Sequence, residues 1–528
     1  MKLILTILLT ATLAWISSSH AAERAPNIVF FLVDDLGWKD LGCYGSSFYE
    51  TPHVDQLAQQ GVRFTNAYAA CHVCSPTRAS IMTGKYPARL KLTDWLSGRR
   101  EFPFQQLQNA EIVQQLPLSE VTIAEALKQH GYQTMHIGKW HLGEDPYGPL
   151  QQGFNKRVPQ WNKGWPKAGY HAPFKFADMV DQPGEYLTDR LTDSAEAFIQ
   201  ANQDRPFFLY LSHFAVHDPI QGREDLVDQY HKKLRLTAKP TGPDFILEGN
   251  PDDPQPASRQ QLDELAKQAS HQGYKVLPQR TVKIKQHQDN PQFAAMVSAM
   301  DESLGRIVKT LESVGVSENT IIVFFSDNGG MSAANFGNPK RVVRPTQLDA
   351  AFSTSNLPLR GAKGWLYEGG IRVPLIVKWP GTNGTRHGKA GEVCDEPVIS
   401  TDFFPTLLEM AGLPAMPQQA VDGVSFAAAL EGKTFERGPL FWHFPHYSNH
   451  GMQSPGGAIR SGHYKLLESF ENGTLQLYNL QDDLGEQHDL VSKQPAIAKQ
   501  LHGQLQAWRE RVHANMMPSN PNYNAPSN

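Results

Sequence analysis

Short apolar runs recur along this chain: "NIVFFLV" (27–33), "YQTMHIG" (132–138), "PFFLYLS" (206–212), "TIIVFFS" (320–326) and "VPLIVKW" (373–379). They read as buried strands, too short for core helices and with almost no polar alternation. Helical patterns lie between them. "TPHVDQLAQQG" has Thr51 as cap, Pro52 in the first position and Gly61 at the stop, and residues 293–315 repeat apolar positions at helical spacing. This alternation predicts an α/β fold, a large mostly parallel sheet flanked by helices. Residues 228–292 are polar and rich in Gln, Lys, Asp and Pro, and read as an insertion with one helical piece near "RQQLDELAKQ". From about residue 435 the pattern changes to that of a small antiparallel sheet with a final helix, "AIAKQLHGQLQAWRERV". The expected division is a signal peptide (1–21), a catalytic α/β domain (22–434), a C-terminal α+β subdomain (435–515) and a tail (516–528).

The first residues set a compartment. Lys2, the apolar run "LILTILLTATLAWI" and the small residues before Ala21 match a signal peptide cleaved after Ala21, with an apolar stretch too short to span a bilayer. A periplasmic or secreted protein without a membrane anchor is expected. The 49 basic and 53 acidic residues leave a net charge of -4 and no polycationic face for nucleic acid. Four cysteines in 528 residues exclude a disulfide scaffold. If Cys74 is committed to chemistry, Cys43, Cys71 and Cys394 allow at most one bridge.

Cys74 opens "CSPTRASIMTG", with Pro76 suited to a first helical turn and Gly84 to a C-cap. A cysteine at a helix N-terminus, with Arg78 nearby, meets a positive field that makes its sulfur reactive. A disulfide half or a small buried apolar residue is the plainer alternative on these residues alone. The strand ends decide the matter. Ligands in open α/β sheets bind beyond the carboxyl ends of the strands, and these ends carry Asp34 and Asp35, Lys139 and His141, His213 and His217, and Asp327 and Asn328. Asp34, Asp35, Asp327 and Asn328 form an all-oxygen set suited to a hard cation, calcium ahead of magnesium. Arg78, Lys139, His141, His217 and Lys363, the last in a glycine-rich loop, would surround an anion beside that cation. Together they imply hydrolysis of a tetrahedral oxyanion ester.

With those residues in view, "CSPTRASIMTG" resembles the signature of the type I sulfatases, an alkaline-phosphatase-like family whose motif cysteine is oxidised to Cα-formylglycine. The similarity extends through "VDDLGW", "GKWHLG", "SDNGG" and "LRGAKGWLYEGGIRVP". The resemblance implies one calcium ion held by Asp34, Asp35, Asp327, Asn328 and the modified Cys74. It also implies a sulfate site of Arg78, Lys139, His141, His217 and Lys363, and a formylglycine-generating or equivalent maturation enzyme as partner. In the implied mechanism a hydrated aldehyde attacks sulfur, His217 protonates the leaving oxygen, and His141 drives release of sulfate.

The expected substrate is a sulfated oligo- or polysaccharide. Asp94, Trp95, Arg99 and Arg100, with Trp161, Trp365 and His213, are candidates to bind the sugar, since indole faces stack on sugar rings and charged groups bind hydroxyls. A general arylsulfatase, a phosphoester or phosphonate hydrolase, and a non-catalytic binder of sulfated glycans are the alternatives.

Overall fold

The computed structural model describes residues 24–250, 253, 257–268, 274–275, 281–335, 342–381, 388–419, 421–450 and 454–524. The signal peptide expected over residues 1–21 lies outside them, as do the last four residues of the tail and parts of the polar insertion.

In chain order the main strands are β1 (Asn27–Val33), β2 (Val62–Phe64), β3 (Gln133–Gly138), β4 (Lys156–Val158), β5 (Phe207–Ser212), β6 (Phe245–Glu248), β7 (Val282–Lys285) and β8 (Thr320–Ser326). They continue with β9 (Leu375–Lys378), β10 (Val393–Cys394), β11 (Leu440–Phe444), β12 (Gly456–Ser461), β13 (Tyr464–Ser469) and β14 (Leu475–Asn479). The main helices are α1 (Pro52–Gln60), α2 (Cys74–Thr83), α3 (Ile123–Gln129), α4 (Leu187–Ala201), α5 (Glu224–Leu236), α6 (Arg259–Ala266), α7 (Pro291–Ser313), α8 (Phe403–Met410) and α9 (Pro495–Arg511).

Eight strands form the large sheet in the order β10-β2-β9-β8-β1-β5-β3-β4. β8, β1, β5, β3 and β4 are parallel neighbours, so their carboxyl ends share one edge. β1 shows why the fold needs two helical layers. Val29, Phe31 and Val33 enter one core with residues of α1, α4, α5 and α7, whereas Ile28, Phe30 and Leu32 enter the other with residues of α3 and α8. A strand that alternates between two buried faces has no place for a polar residue.

One strand departs from the parallel majority, and two expectations need correction. The run at 373–379 yields β9, which is antiparallel to both β8 and β2; an apolar run reports burial on both faces and carries no direction. The insertion expected from residue 228 overlaps α5, whose Leu226, Val227 and Tyr230 are buried. One buried helical stripe leaves most of its residues polar, so composition hid a core helix. Finally, Thr51 does not cap α1 with its side chain. Asp301 of α7 accepts from Val54 N at 2.8 Å and His53 N at 3.2 Å and satisfies these helix-end amides from across the core. All four cysteines are free.

The later part of the chain builds the antiparallel sheet β11-β12-β13-β14, with α9 packed on it. A buried ion network ties this sheet to the glycine-rich loop. Lys465 Nζ of β13 reaches Glu368 Oε1 and Glu486 Oε1, each at 2.9 Å, and Glu368 Oε2 accepts from Tyr68 OH at 2.8 Å. Removing one member of such a network strands the rest without compensation. Lys465→Met is therefore expected to lower the unfolding free energy by about 3 kcal/mol, read as a shift in the urea midpoint; an unchanged midpoint would contradict it.

Candidate active site

The carboxyl ends of β1, β3, β5 and β8 meet the N-terminus of α2 at one cavity. Cys74 is the first residue of α2, and Gly84 closes that helix at φ 69°, in the left-handed region where glycine is favoured. Cys74, His141, His217 and Lys363 line a cavity of about 210 Å³. Burial alone would push the Cys74 thiol up. Lys139 and Lys363 beside it, with the rings of His141 and His217 adjacent, outweigh burial and hold it well below the usual thiol range.

The charged groups interlock. Arg78 gives Nε to Asp327 Oδ2 at 2.9 Å, its Nη2 lies 2.8 Å from the same oxygen as an ion pair, and its Nη1 bonds Lys139 O and Ser212 Oγ. Lys139 Nζ lies 2.5 Å from Asp34 Oδ2, and Lys363 Nζ lies 2.6 Å from Asp35 Oδ1. Asn328 Nδ2 donates to Asp35 Oδ1 at 2.8 Å. Asp35 and His141 adopt φ of 62° and 57°, left-handed values that cost non-glycine residues about 1–3 kcal/mol each when the surroundings impose them.

The donor set fits a cation. Asp34 Oδ1 and Asn328 Oδ1 are buried and accept no hydrogen bond, an expensive state that a metal–oxygen bond would relieve. Burial, then the charge of Asp327, push Asp34 well above the usual carboxylate range despite Lys139. Asp34, Asp35, Cys74 and His217 each bring a ligand atom within 4.8 Å of the others. His217 is better suited to a proton than to a metal. Burial and Lys363 oppose its charge, yet Asp35, Asp218 and Asp34 outweigh them and hold it well above the usual histidine range. Its Nδ1 sits 2.8 Å from Asp218 Oδ1. With oxygen as the dominant donor, calcium suits the site better than zinc.

His141 is the opposite case. Its Nε2 lies 2.6 Å from Leu96 O, and a carbonyl only accepts, so Nε2 carries the proton and Nδ1 keeps a lone pair. Burial lowers its pKa, and the free Nδ1 is left to the Cys74 sulfur.

Some expected sugar contacts lie elsewhere. His213 is fully buried beside Phe31, bonded to Ser303 Oγ at 2.9 Å; as the first residue past β5 it turns into the core. Trp365 is 1 % exposed and donates to His450 O at 2.9 Å, so it packs under the C-terminal sheet. Asp94 accepts from the amides of Trp95 and Arg99 and closes their turn. The Arg99 guanidinium lies over the rings of Phe102 and Tyr447, and Arg100 is exposed away from the cavity. Trp161 is half-buried and packs against the core, with its N–H on Trp165 O. Trp95 does line the cavity, joined by Trp165 of the "WNKGW" stretch and by Asn335, Asn449 and His450, which the sequence did not single out.

Comparison with known proteins agrees with this geometry. The Sulfatase family model matches residues 26–413, and the model for the C-terminal part of N-sulphoglucosamine sulphohydrolase matches residues 362–511. A sulfatase of Formosa agariphila is 28% identical, over 95% of this chain and 92% of its own. The mouse N-acetylgalactosamine-6-sulfatase is 30% identical, over 80% of this chain and 69% of its own. Among solved structures, Ps i-CgsB superposes with a TM-score of 0.67 at 25% identity, covering 92% of this chain and 93% of that one. On a family match that runs from before β1 to beyond α8, the chain belongs to the sulfatase family and is a sulfuric ester hydrolase.

Proposed function

We propose that this sulfatase is exported and removes sulfate from a sugar hydroxyl of a sulfated glycan, using a formylglycine made from Cys74 by a maturation enzyme and one calcium ion. The observation that carries the reading is the placement of Cys74 at the positive end of α2, between Lys139, Lys363 and His141 and beside the unpartnered Asp34 Oδ1. Two similarities support the glycan: the relative named for N-acetylgalactosamine 6-sulfate, and a crystal structure of Ps i-CgsB in complex with k-i-k-neocarrahexaose.

Asp34, Asp35, Asp327 and Asn328 would hold the ion. When present, calcium supplies Lewis acidity toward sulfate oxygens, and formylglycine supplies a hydratable carbonyl whose hydroxyls serve attack on sulfur and release of sulfate. Lys139 and Lys363, now on carboxylates, provide N–H donors for the sulfuryl oxygens as charge builds. Arg78 fixes Asp327 through its Nε hydrogen bond and the ion pair of the same guanidinium. His217 carries the proton for the departing sugar oxygen, with Asp218 orienting the ring from behind. His141 offers the Nδ1 lone pair as the base that drives sulfate release.

The test is a sulfate-release screen over defined sulfated mono- and oligosaccharides beside 4-nitrophenyl sulfate. A sulfated sugar is expected to exceed the aryl ester in kcat/KM by about 10-fold or more, because the aryl ester forgoes binding energy remote from the sulfur. If the aryl ester leads and no glycan is desulfated, the protein is a general arylsulfatase.

A further inference from the structure

The cavity over Cys74 has a wall that the reaction does not use. Asn449 and His450, from the segment between β11 and β12, line it together with Asn335. Both ring nitrogens of His450 are buried without a hydrogen-bond partner, and so is Asn449 Oδ1. The His450 side chain is 4 % exposed. Buried polar atoms in native proteins are nearly always satisfied, so unsatisfied ones facing a cavity call for a partner from within it.

This wall is built, not incidental. Trp365 Nε1 donates to His450 O at 2.9 Å, Ser448 Oγ accepts from His450 N at 3.0 Å, and His450 pairs with Asn335 as an isolated antiparallel bridge. The loop carrying Lys363 presses directly on it. Gly364 has φ +84°, and a Cβ there would fall 2.6 Å from His450 Cβ and also strike Ser448. Only glycine allows the loop to lie that close. The lysine that serves the sulfate and the histidine that serves nothing in the reaction are thereby held in fixed relation.

Trp95 and Trp165 line the same cavity, Trp165 with 43 % of its surface exposed. At about 210 Å³ the space is below the roughly 300–1,000 Å³ of typical ligand pockets. It suits a sulfate with one attached ring rather than a length of polymer. A ring that meets indoles on its C–H face and imidazole and amide groups at its edge is a polyhydroxylated one.

We propose that His450, with Asn449, is a specificity-determining residue that hydrogen-bonds a ring hydroxyl of the single sugar unit bearing the sulfate, so that the enzyme takes its substrate at a chain terminus. The proposal rests on the glycan reading above. His450 makes no contact with the reacting sulfur in this role and is a recognition residue, not a catalytic one.

The experiment compares wild type, His450→Ala and His450→Phe, the last keeping a ring without its nitrogens. The probes are 4-nitrophenyl sulfate and a panel of monosaccharide O-sulfates that includes N-acetylgalactosamine 6-sulfate. Both variants are expected to lose about 10- to 100-fold in kcat/KM on the sugar sulfate that wild type uses best, while staying within about threefold on the aryl ester, which has no ring hydroxyl to offer. A binding readout accompanies it: in the Cys74→Ala background, calorimetry should show weaker binding of the same sugar sulfate on adding His450→Ala, with inorganic sulfate bound as before. Equal losses on both substrate classes would place His450 in the sulfate site and overturn the proposal, as would no loss on either. Should the variants not fold, the wild type decides through the deoxy sugar sulfates: a panel in which no single ring hydroxyl matters overturns it. If wild type desulfates no sugar at all, the glycan reading fails first and takes the proposal with it.

Discussion

Cys74→Ala is expected to abolish sulfatase turnover, by about 10⁴- to 10⁶-fold in kcat, the range seen when a covalent nucleophile or its partners are removed. The fold should survive. Cys74 is small and sits at the start of a helix whose ten residues are all buried, and alanine there opens little space and continues the helix well. The loss should therefore appear in kcat with little change in thermal midpoint. Cys74→Ser is the sharper variant. Serine restores a hydroxyl in the same field of Lys139, Lys363 and Arg78 yet offers a single oxygen, so the enzyme should transfer at most one sulfuryl group and stop. Full turnover in either variant would mean that Cys74 is not the source of the nucleophile.

Removing the cation is the second large effect. Chelation should inactivate the enzyme reversibly, with activity restored by calcium better than by magnesium, because carboxylate and amide oxygens suit calcium whereas magnesium demands near-ideal octahedral geometry and gives up its waters reluctantly. Asp35→Asn should cost about 10³-fold or more in kcat/KM, equivalent to about 4 kcal/mol of transition-state stabilisation. Asp35 holds Lys363 at 2.6 Å and faces His217 Nε2 at 3.7 Å, so under the proposed mechanism the change disturbs the lysine assigned to sulfate and the assigned proton donor along with ion binding. Titration of metal into stripped protein separates these contributions. Zinc as the bound metal of active enzyme, or full activity without metal, would contradict the assignment.

The site was legible in the sequence where chemistry sits at strand ends. β1, β3, β5 and β8 were visible as apolar runs, and parallel neighbours must deliver the residues at their carboxyl ends to one edge. That placed Asp34, Asp35, Lys139, His141, Asp327 and Asn328 together. His217 was reached the same way, but His213 was not separable from it, since the turn after β5 decides which of the two faces the core. The tryptophans marked the limit. Trp365 lies two residues past Lys363, and only the packing of β11–β14 over it reveals that its indole is structural. Asn449 and His450 carry no local signal. They arrive from the segment between β11 and β12, and their role depends on the close approach of Gly364, a tertiary fact. The same limit hid α5, because one buried stripe does not alter a polar composition.

The most direct measurement of the central claim is peptide mass spectrometry across residues 71–84 of active enzyme from a host able to mature it, with specific activity recorded on the same preparation. The Cys74 position is expected to carry an aldehyde or its hydrate, in a fraction that rises and falls with specific activity across preparations. Active enzyme in which Cys74 is an unmodified thiol throughout would contradict the formylglycine mechanism.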